Sequence, residues 1–181
     1  MAPAEPEHRE PEHRGLTAGQ LGVWYGQGLS ADPSVYSISE YVELLGDLDL
    51  ADFDAALRYA VGEADACRLR FTGDGPTLRQ HVGSGEDWAP YIADLTGVDD
   101  ARAVADAWMR ADLRQPVDLR HGPLVACAVF KIAPDRFLWY QRAHHIAIDG
   151  FSAAVMAGRV AEIYTAMRAG LVPPAAGAPE S

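Results

Sequence analysis

The segment from residue 136 to residue 169 constrains the fold more than any other part of the chain. Its first part, RFLWYQRA at 136–143, is a mostly apolar and aromatic run that predicts a buried strand. The polar motif HHIAIDG follows at 144–150, and a helix is predicted from Phe151 to about Ala169, with Gly170 just beyond its C terminus. A strand that passes through a short turn into a helix brings two imidazoles, a carboxylate and a glycine together. The segment therefore predicts a compact acid-base site at a strand end.

The first half of the chain and the segment before the last hairpin predict three further helices. Thr17 and Gln20 form a capping-box pattern that opens a first helix, which ends by Asp32-Pro33. Asp49 opens a second helix, and a third is predicted over about 99–114. The residues expected on the packed faces are Leu21, Trp24, Tyr25 and Leu29 in the first helix, Phe53, Ala56, Leu57, Ala60 and Val61 in the second, and Ala101, Val104, Ala105, Trp108 and Met109 in the third.

The remaining apolar runs predict strands. They cover 38–45, 67–71, 78–82 and 124–132, and the last of these forms a hairpin with 136–143 through Ala133-Pro134-Asp135. Residues 83–97 are predicted as a loop anchored by Trp88, Tyr91 and Ile92. Strands with helices between and around them are typical of an α/β (α+β) sandwich, in which helices pack on a mixed sheet.

The composition narrows the possible functions. The 181-residue chain is long enough for one hydrophobic core, and its formal net charge of −11 argues against nucleic acid and anionic membrane as partners. No apolar run reaches the ~18–20 residues of a membrane-spanning helix, and the polar start lacks a signal-peptide core, so we expect a cytoplasmic protein. Cys67 and Cys127 have neither metal-site spacing nor a disulfide framework, and we expect both to be inert core residues.

Two other kinds of site fit the motif less well. Adjacent histidines in an extended segment point to opposite faces, and His145 with Asp149 supplies two ligands where a zinc site needs three or four, so we expect no metal. A Ser-His-Asp hydrolase needs an activated serine, commonly in a Gly-x-Ser-x-Gly turn. Gly83-Ser84-Gly85 does not have that form, and Ser152 directly follows the motif.

Several motifs, in order along the chain, resemble those of one enzyme family. HHIAIDG at 144–150 has the form HHxxxDG, which resembles the core motif of the condensation domains of nonribosomal peptide synthetases. LTAGQLGVWY at 16–25 is similar to the family's opening motif, and DLRHGPL at 118–124 is similar to its DLxxGPL segment. In the place of the motif RHExLRxxF, this chain keeps Arg68 and Phe71 but departs from the usual Arg-His-Glu at 63–65. DGFS at 149–152 is similar to synthetases of the siderophore type.

The resemblance implies a fold like that of chloramphenicol acetyltransferase, with two lobes arranged in a V. It assigns residues 16–170 to the N-terminal lobe and the Pro- and Ala-rich residues 171–181 to an interlobe linker, while the polar residues 1–15 are expected to form a disordered leader. A complete condensation domain is more than twice as long. We therefore expect this sequence to be one lobe, a fragment of a large multidomain synthetase that is inactive alone.

The resemblance also implies a reaction and roles for the motif residues. A donor acyl or aminoacyl thioester on the 4'-phosphopantetheine of one carrier protein forms an amide with the amine held by a second carrier. By match, His145 is the general base or positions the amine, and Gly150 lets the backbone approach the substrate and offers an N–H to the oxyanion. His144 is expected to orient the strand end, and Asp149 to be a buried structural carboxylate paired with Arg68. We further expect Gly150 to ease the turn into the helix, where a Cβ would be harder to accommodate.

The implied partners are the donor and acceptor carrier protein domains, the C-terminal lobe of the same condensation domain and an adenylation domain. No directly bound cofactor is implied. An alternative interpretation is a non-catalytic, condensation-like lobe that docks carrier or accessory proteins. The intact His145, Asp149 and Gly150 favour catalysis over this alternative.

Overall fold

The computed structural model describes residues 12–176. In chain order its elements are α1 (Ala18–Leu29), β1 (Ser37–Leu45), α2 (Leu50–Glu63), β2 (Leu69–Thr72), β3 (Arg79–Val82), β4 (Tyr91–Asp94), α3 (Ala101–Leu113), β5 (Val125–Ala133), β6 (Arg136–His144) and α4 (Gly150–Arg168), with short 3-10 turns at Asp65–Arg68 and Gly75–Thr77. No helix among these residues is long and apolar enough to cross a membrane.

The ends of the chain bear on the predicted leader and linker. Most of the predicted leader, residues 1–11, and the last part of the predicted linker, residues 177–181, lie outside the described residues. Within the leader, Arg14 exchanges two backbone hydrogen bonds of 2.8 Å with Gln80 of β3. The last residues of that segment are therefore paired with the body of the protein.

A four-stranded mixed sheet forms the centre of the protein. Its strand order is β1-β6-β5-β4, so β6 lies inside the sheet and pairs antiparallel with both β1 and β5. The short β4 pairs with β5 in parallel. The predicted mixed sheet and the β5–β6 hairpin are confirmed, and the last residue of β6 is the first histidine of the motif.

Helices cover both faces of this sheet because its central strands are apolar on both sides. One face packs against α2 and α4, and the five residues of α2 predicted to be buried are all in this core. The other face packs against α3, with Ala105 and Met109 beneath Phe130, Leu138 and Tyr140. A strand buried on both faces reads as a nearly continuous apolar run, which is the pattern seen before the motif.

The two-stranded sheet of β2 and β3 forms a second, smaller core with α1. Thr17 caps α1 in the predicted capping box with Gln20. The Trp24 ring lies 5.7 Å from that of Phe71, and the partly buried Leu21 packs in the same cluster. This smaller core also contains Ile146 of the motif, so it fixes the turn from one side.

Several predicted details are wrong. The predicted loop at 83–97 contains β4, a short edge strand whose Tyr91 and Ile92 are 48 and 37% exposed, so it carries no burial pattern. Tyr25 and Leu29 of α1 are 50 and 88% exposed, whereas Leu21 and Trp24 of the same predicted face pack in the smaller core. Val104 of α3 is likewise 43% exposed.

Candidate active site

The motif lies where the central strand β6 ends and α4 begins. The backbone N–H of His144 donates to the Leu124 carbonyl at 2.9 Å, and the N–H of His145 donates to the Tyr36 carbonyl at 2.8 Å. The segments just before β5 and just before β1 therefore hold the two histidines from opposite sides. The turn of residues 145–149 is short, and Asp149 caps the helix that follows it.

His144 is completely buried and fully hydrogen-bonded. Its Nδ1 accepts a hydrogen bond from the Ile146 N–H at 3.2 Å, and its Nε2 lies 2.5 Å from Oε1 of Gln27. Burial, with smaller effects of His145 and Arg142, lowers the pKa of His144 to about 4. This imidazole is therefore neutral near pH 7 and has no free position for a substrate.

His145 is the exposed member of the pair. Its backbone is fixed by Tyr36, while its imidazole makes no hydrogen bond to any other residue between 12 and 176. An exposed imidazole has ring nitrogens that a substrate can reach. The two neighbouring histidines thus differ in what they can do, because one is locked in the interior and the other faces solvent.

Asp149 is exposed rather than buried, contrary to the prediction. Its Oδ1 accepts hydrogen bonds from the Ser152 backbone N–H at 2.8 Å and from the Ser152 hydroxyl at 2.7 Å. These two bonds, backbone first, lower the pKa of the Asp149 carboxyl. The role that the structure gives to this side chain is the N-cap of α4, which is a common use of aspartate.

The predicted ion pair between Asp149 and Arg68 is wrong. Arg68 instead binds Asp65 at 2.7 Å and donates to the carbonyl of Gly83 at 3.1 Å and to that of Ser84 at 3.3 Å. The prediction assumed a strand at 67–71, but residues 65–68 form a 3-10 turn, which places Asp65 and Arg68 on the same side. Arg68 anchors the loop after β3 and does not reach the motif turn.

The prediction that Gly150 is needed to ease the turn into the helix is also wrong. Its φ is not in the left-handed region, and a Cβ built on it has no atom within 4 Å. The turn into α4 therefore does not need a glycine for the chain to fold. Gly150 instead lines an open pocket. Because glycine has no side chain, space remains beside the turn of residues 145–149.

That pocket has a volume of about 120 Å³ and lies between the sheet and the first turns of α4. Most of its wall is apolar, and the amide of Gln141 on the wall donates to Glu40 at 2.9 Å. The lining residues are Ile38, Ser39, Glu40, Val125, Gln141, Arg142, Ala143, Ile148, Gly150, Ala153 and Met156. An apolar pocket with a few polar groups is typical of a small-molecule site, and this one adjoins Gly150 of the motif.

A buried polar network that the sequence did not reveal supports the end of β6. Nε of Arg142 donates to Asp112 of α3 at 2.7 Å, and the hydroxyl of Tyr140 donates to the same carboxylate oxygen at 3.0 Å. The Arg142 and Asp112 side chains are only 10 and 15% exposed. The available signal was Gln141-Arg142, two polar residues at the end of an apolar strand just before the motif.

The two cysteines lie apart from this chemistry. Both are buried free thiols in the core beneath α2 and α4. Burial raises the pKa of each thiol to about 12, so neither forms a reactive thiolate near neutral pH. Across the described part of the chain, no three His, Cys, Asp or Glu side chains are grouped to hold a metal ion.

Comparison with known proteins identifies the same family that the motifs resemble. The family model of the condensation domain matches residues 11–179. Isonitrile lipopeptide synthase of Streptomyces coeruleorubidus is 44% identical over 88% of this chain, and a dimodular nonribosomal peptide synthase of Bacillus subtilis is 43% identical over 84%. The chain spans only 11 and 6% of these two proteins.

Solved structures give the same result for the fold. A double mutant of the starter condensation domain of rhizomide synthetase, in complex with C8-CoA and Leu-SNAC, superimposes with a TM-score of 0.86 at 42% identity over 91% of this chain. The first condensation domain of the calcium-dependent antibiotic synthetase gives a TM-score of 0.82 at 32% identity over 93%. This chain covers 38 and 41% of those two structures. Its fold is therefore that of part of a condensation domain, as expected, and the chain belongs to the condensation domain family.

Proposed function

We propose that this chain carries the catalytic motif of amide-bond formation in a nonribosomal peptide synthetase. The donor is an acyl or aminoacyl thioester and the acceptor is an amine, each held on the 4'-phosphopantetheine arm of a carrier protein. The observation that carries the proposal is the unlike placement of two neighbouring imidazoles. His144 is buried and hydrogen-bonded, whereas His145 is exposed at the end of the central strand.

His145 acts on the attacking amine in this proposal. The amine nitrogen attacks the thioester carbonyl, the C–N bond forms, and the oxygen becomes an oxyanion. Collapse of this intermediate breaks the C–S bond, and the thiolate leaves. The amine must lose a proton near the moment of attack, and His145 either accepts that proton or holds the amine in position. The proton ends on the departing thiol.

Gly150 is the second catalytic residue of the proposal. As the first residue of α4, its N–H belongs to the group of helix N-terminal donors that have no intrahelical acceptor. A donor at this place can stabilise negative charge that develops on the carbonyl oxygen. The open space where its Cβ would lie lets the thioester approach the backbone. Asp149 fixes the direction of these donors by capping the same helix turn.

We infer that the donor is an apolar acyl group. The pocket beside Gly150 is mostly apolar, and Ala153 and Met156 close it from the α4 side. Similar starter condensation domains have been solved with C8-CoA, which is an acyl thioester. Replacing Ala153 with phenylalanine is expected to fill the pocket and to favour short donors over octanoyl donors.

The partners in this proposal are the donor and acceptor carrier domains, the rest of the condensation domain and an adenylation domain. The chain covers about 40% of the solved condensation domains it resembles. We expect a reacting donor and acceptor to need contacts from the remaining part, because misplaced reactants lose the advantage of proximity. The 181-residue chain alone is therefore expected to be inactive.

The experiment compares the chain alone with a condensation domain that contains it. Each is mixed with octanoyl-CoA and the N-acetylcysteamine thioester of leucine, and the amide product is measured by mass spectrometry. We expect product from the domain and none above background from the chain. Absence of product from the domain, together with binding of a carrier protein in a separate pull-down, would favour the docking interpretation and contradict the catalytic one.

A further inference from the structure

The hydrogen bonds of His144 determine which of its nitrogens carries the proton. The Ile146 backbone N–H can only donate, so Nδ1 of His144 is the acceptor and is unprotonated. The single ring proton of the neutral imidazole is then on Nε2. It is donated to Oε1 of Gln27, 2.5 Å away. Gln27, on α1, therefore accepts a hydrogen bond from the ring N–H that defines this tautomer.

We propose that Gln27 is a positioning residue for the reaction: by accepting the Nε2 proton of His144, it leaves Nδ1 free to hold the Ile146 N–H and thereby the turn that presents His145. The inference rests on the proposed function, because it assigns His145 as the residue that contacts the substrate. It adds a residue outside the HHxxxDG motif to the machinery of the site.

The neighbouring α1 residue Gln20 supports this assignment. Gln20 and Gln27 are seven residues apart and so lie two turns apart on one face of α1. Nε2 of Gln20 lies 3.4 Å from the Ile146 carbonyl, which makes a weak hydrogen bond possible. α1 thus contacts the motif segment at two residues, Ile146 and His144. The carbonyl of Tyr36 accepts a hydrogen bond from the backbone N–H of the third, His145. The turn is therefore held by groups that lie outside the motif.

A glutamine suits this position better than a glutamate. A carboxylate at Nε2 would favour the imidazolium, which carries protons on both nitrogens and has no acceptor for the Ile146 N–H. The charged group on the same strand face as His144 is Arg142, which is paired with Asp112 of α3. His145 adjoins His144 in sequence, and the Tyr36 ring lies 6.3 Å from the His144 ring. Burial, and to a smaller extent His145 and Arg142, already oppose protonation of His144, and the neutral amide of Gln27 leaves that balance unchanged.

The first test reads the tautomer directly and needs no catalysis. The chain is labelled with 15N-histidine, and long-range 15N–1H spectra are recorded from pH 5 to pH 8, with the His144 signals assigned by their loss in His144→Gln. We expect wild-type His144 to remain the neutral Nε2–H tautomer throughout. Gln27→Met should give a mixture of tautomers, and Gln27→Glu should protonate His144 within this range. Unchanged His144 signals in both variants would overturn the proposal.

The second test uses the pH profile of condensation, in a condensation domain that contains this chain. Gln27→Glu is expected to add an acid limb to kcat/KM, with the rate falling about tenfold per pH unit below the raised pKa. Gln115→Glu, at an exposed position after α3, makes the same charge change and should leave the profile as in wild type. An altered tautomer with an unchanged profile would overturn the positioning role. Absence of condensation in the wild-type domain would contradict the proposed function instead, while the spectra would still decide how Gln27 acts on His144.

Discussion

Arg142 and Asp112 form a buried ion pair that joins β6 to α3 two residues before the motif. The Nε–Oδ2 distance is 2.7 Å, and the hydroxyl of Tyr140 donates to the same carboxylate oxygen. Burial raises the pKa of the Tyr140 hydroxyl, and the nearby Asp112 carboxylate raises it further. The pair therefore fixes the strand that leads into the site without lying in the site itself.

Removing one partner of this ion pair is expected to cost more stability than replacing both partners with apolar residues. Asp112→Ala leaves Arg142 charged and unpaired in the interior, with a loss of about 3–5 kcal/mol in the free energy of unfolding. The double variant Arg142→Met with Asp112→Leu should lose much less. Urea denaturation of wild type, Asp112→Ala and the double variant measures this. The exposed pair of Arg58 and Asp54 is the control, where Asp54→Ala should cost under about 1 kcal/mol. Equal losses at the two sites would contradict the assignment.

Asp149 is expected to act as a helix cap and not as a partner of Arg68. Asparagine is as good an N-cap as aspartate, so Asp149→Asn should melt within about a degree of wild type. Asp149→Ala removes both bonds to Ser152 and should lower Tm by about 2–4 °C. Thermal denaturation followed by circular dichroism gives both values. A large loss for Asp149→Asn would restore the case for a buried, charged role.

Much of the fold could be predicted from local sequence patterns, because helix caps and apolar periodicity involve residues only a few positions apart. The capping box of Thr17 and the apolar face of α2 were both confirmed. β4 was missed because four residues at a sheet edge carry little pattern, and their pairing with β5 joins segments far apart in sequence. The face of α1 was misjudged at Tyr25 for a similar reason, since Gln20 and Gln27 turn it toward the motif.

The motif itself could be located from sequence, but the arrangement around it could not. The hydrogen-bond partner of the buried His144 is Gln27, more than a hundred residues away in sequence. The Arg68 prediction failed because a 3-10 turn replaced the expected strand and gave Arg68 a nearer carboxylate at Asp65. The contact of His144 with Gln27 is set by the packing of separate elements, and a single sequence carries no record of it.

His144 is expected to make stability depend on pH between about 4 and 6.5. Its folded pKa, about 4, lies below the usual value of 6.5, so in this window the unfolded state binds the proton and the folded state does not. The contribution of His144 to the free energy of unfolding is therefore complete above pH 6.5. It falls by about 3 kcal/mol as the pH drops toward 4. Urea titrations of wild type and His144→Gln across this range give the difference in slope. Equal slopes would contradict the burial of a neutral imidazole.

Gly150 is expected to matter for activity and not for folding. Gly150→Ala adds a methyl group into open space at the start of a helix, so Tm should be unchanged or slightly higher. The same methyl group enters the pocket beside the motif and obstructs the approach of the thioester to the Gly150 N–H, so we expect condensation to slow by about tenfold or more. Gly158→Ala, at an exposed position further along α4, is the matched control and should keep full activity. If both variants react equally fast, Gly150 does not line the reacting site.

The most direct test of the central claim is the single-turnover rate of His145→Ala in a condensation domain that contains this chain. Donor and acceptor are preloaded on their carriers, and amide formation is followed by quenched-flow mass spectrometry. His121→Ala, which removes an imidazole that is 83% exposed and outside the motif, is the control and should react like wild type. We predict a loss of about 10²–10⁴-fold for His145→Ala with the fold intact. Condensation by His145→Ala at the wild-type rate would contradict the proposed role of the motif and leave the docking interpretation as the better one.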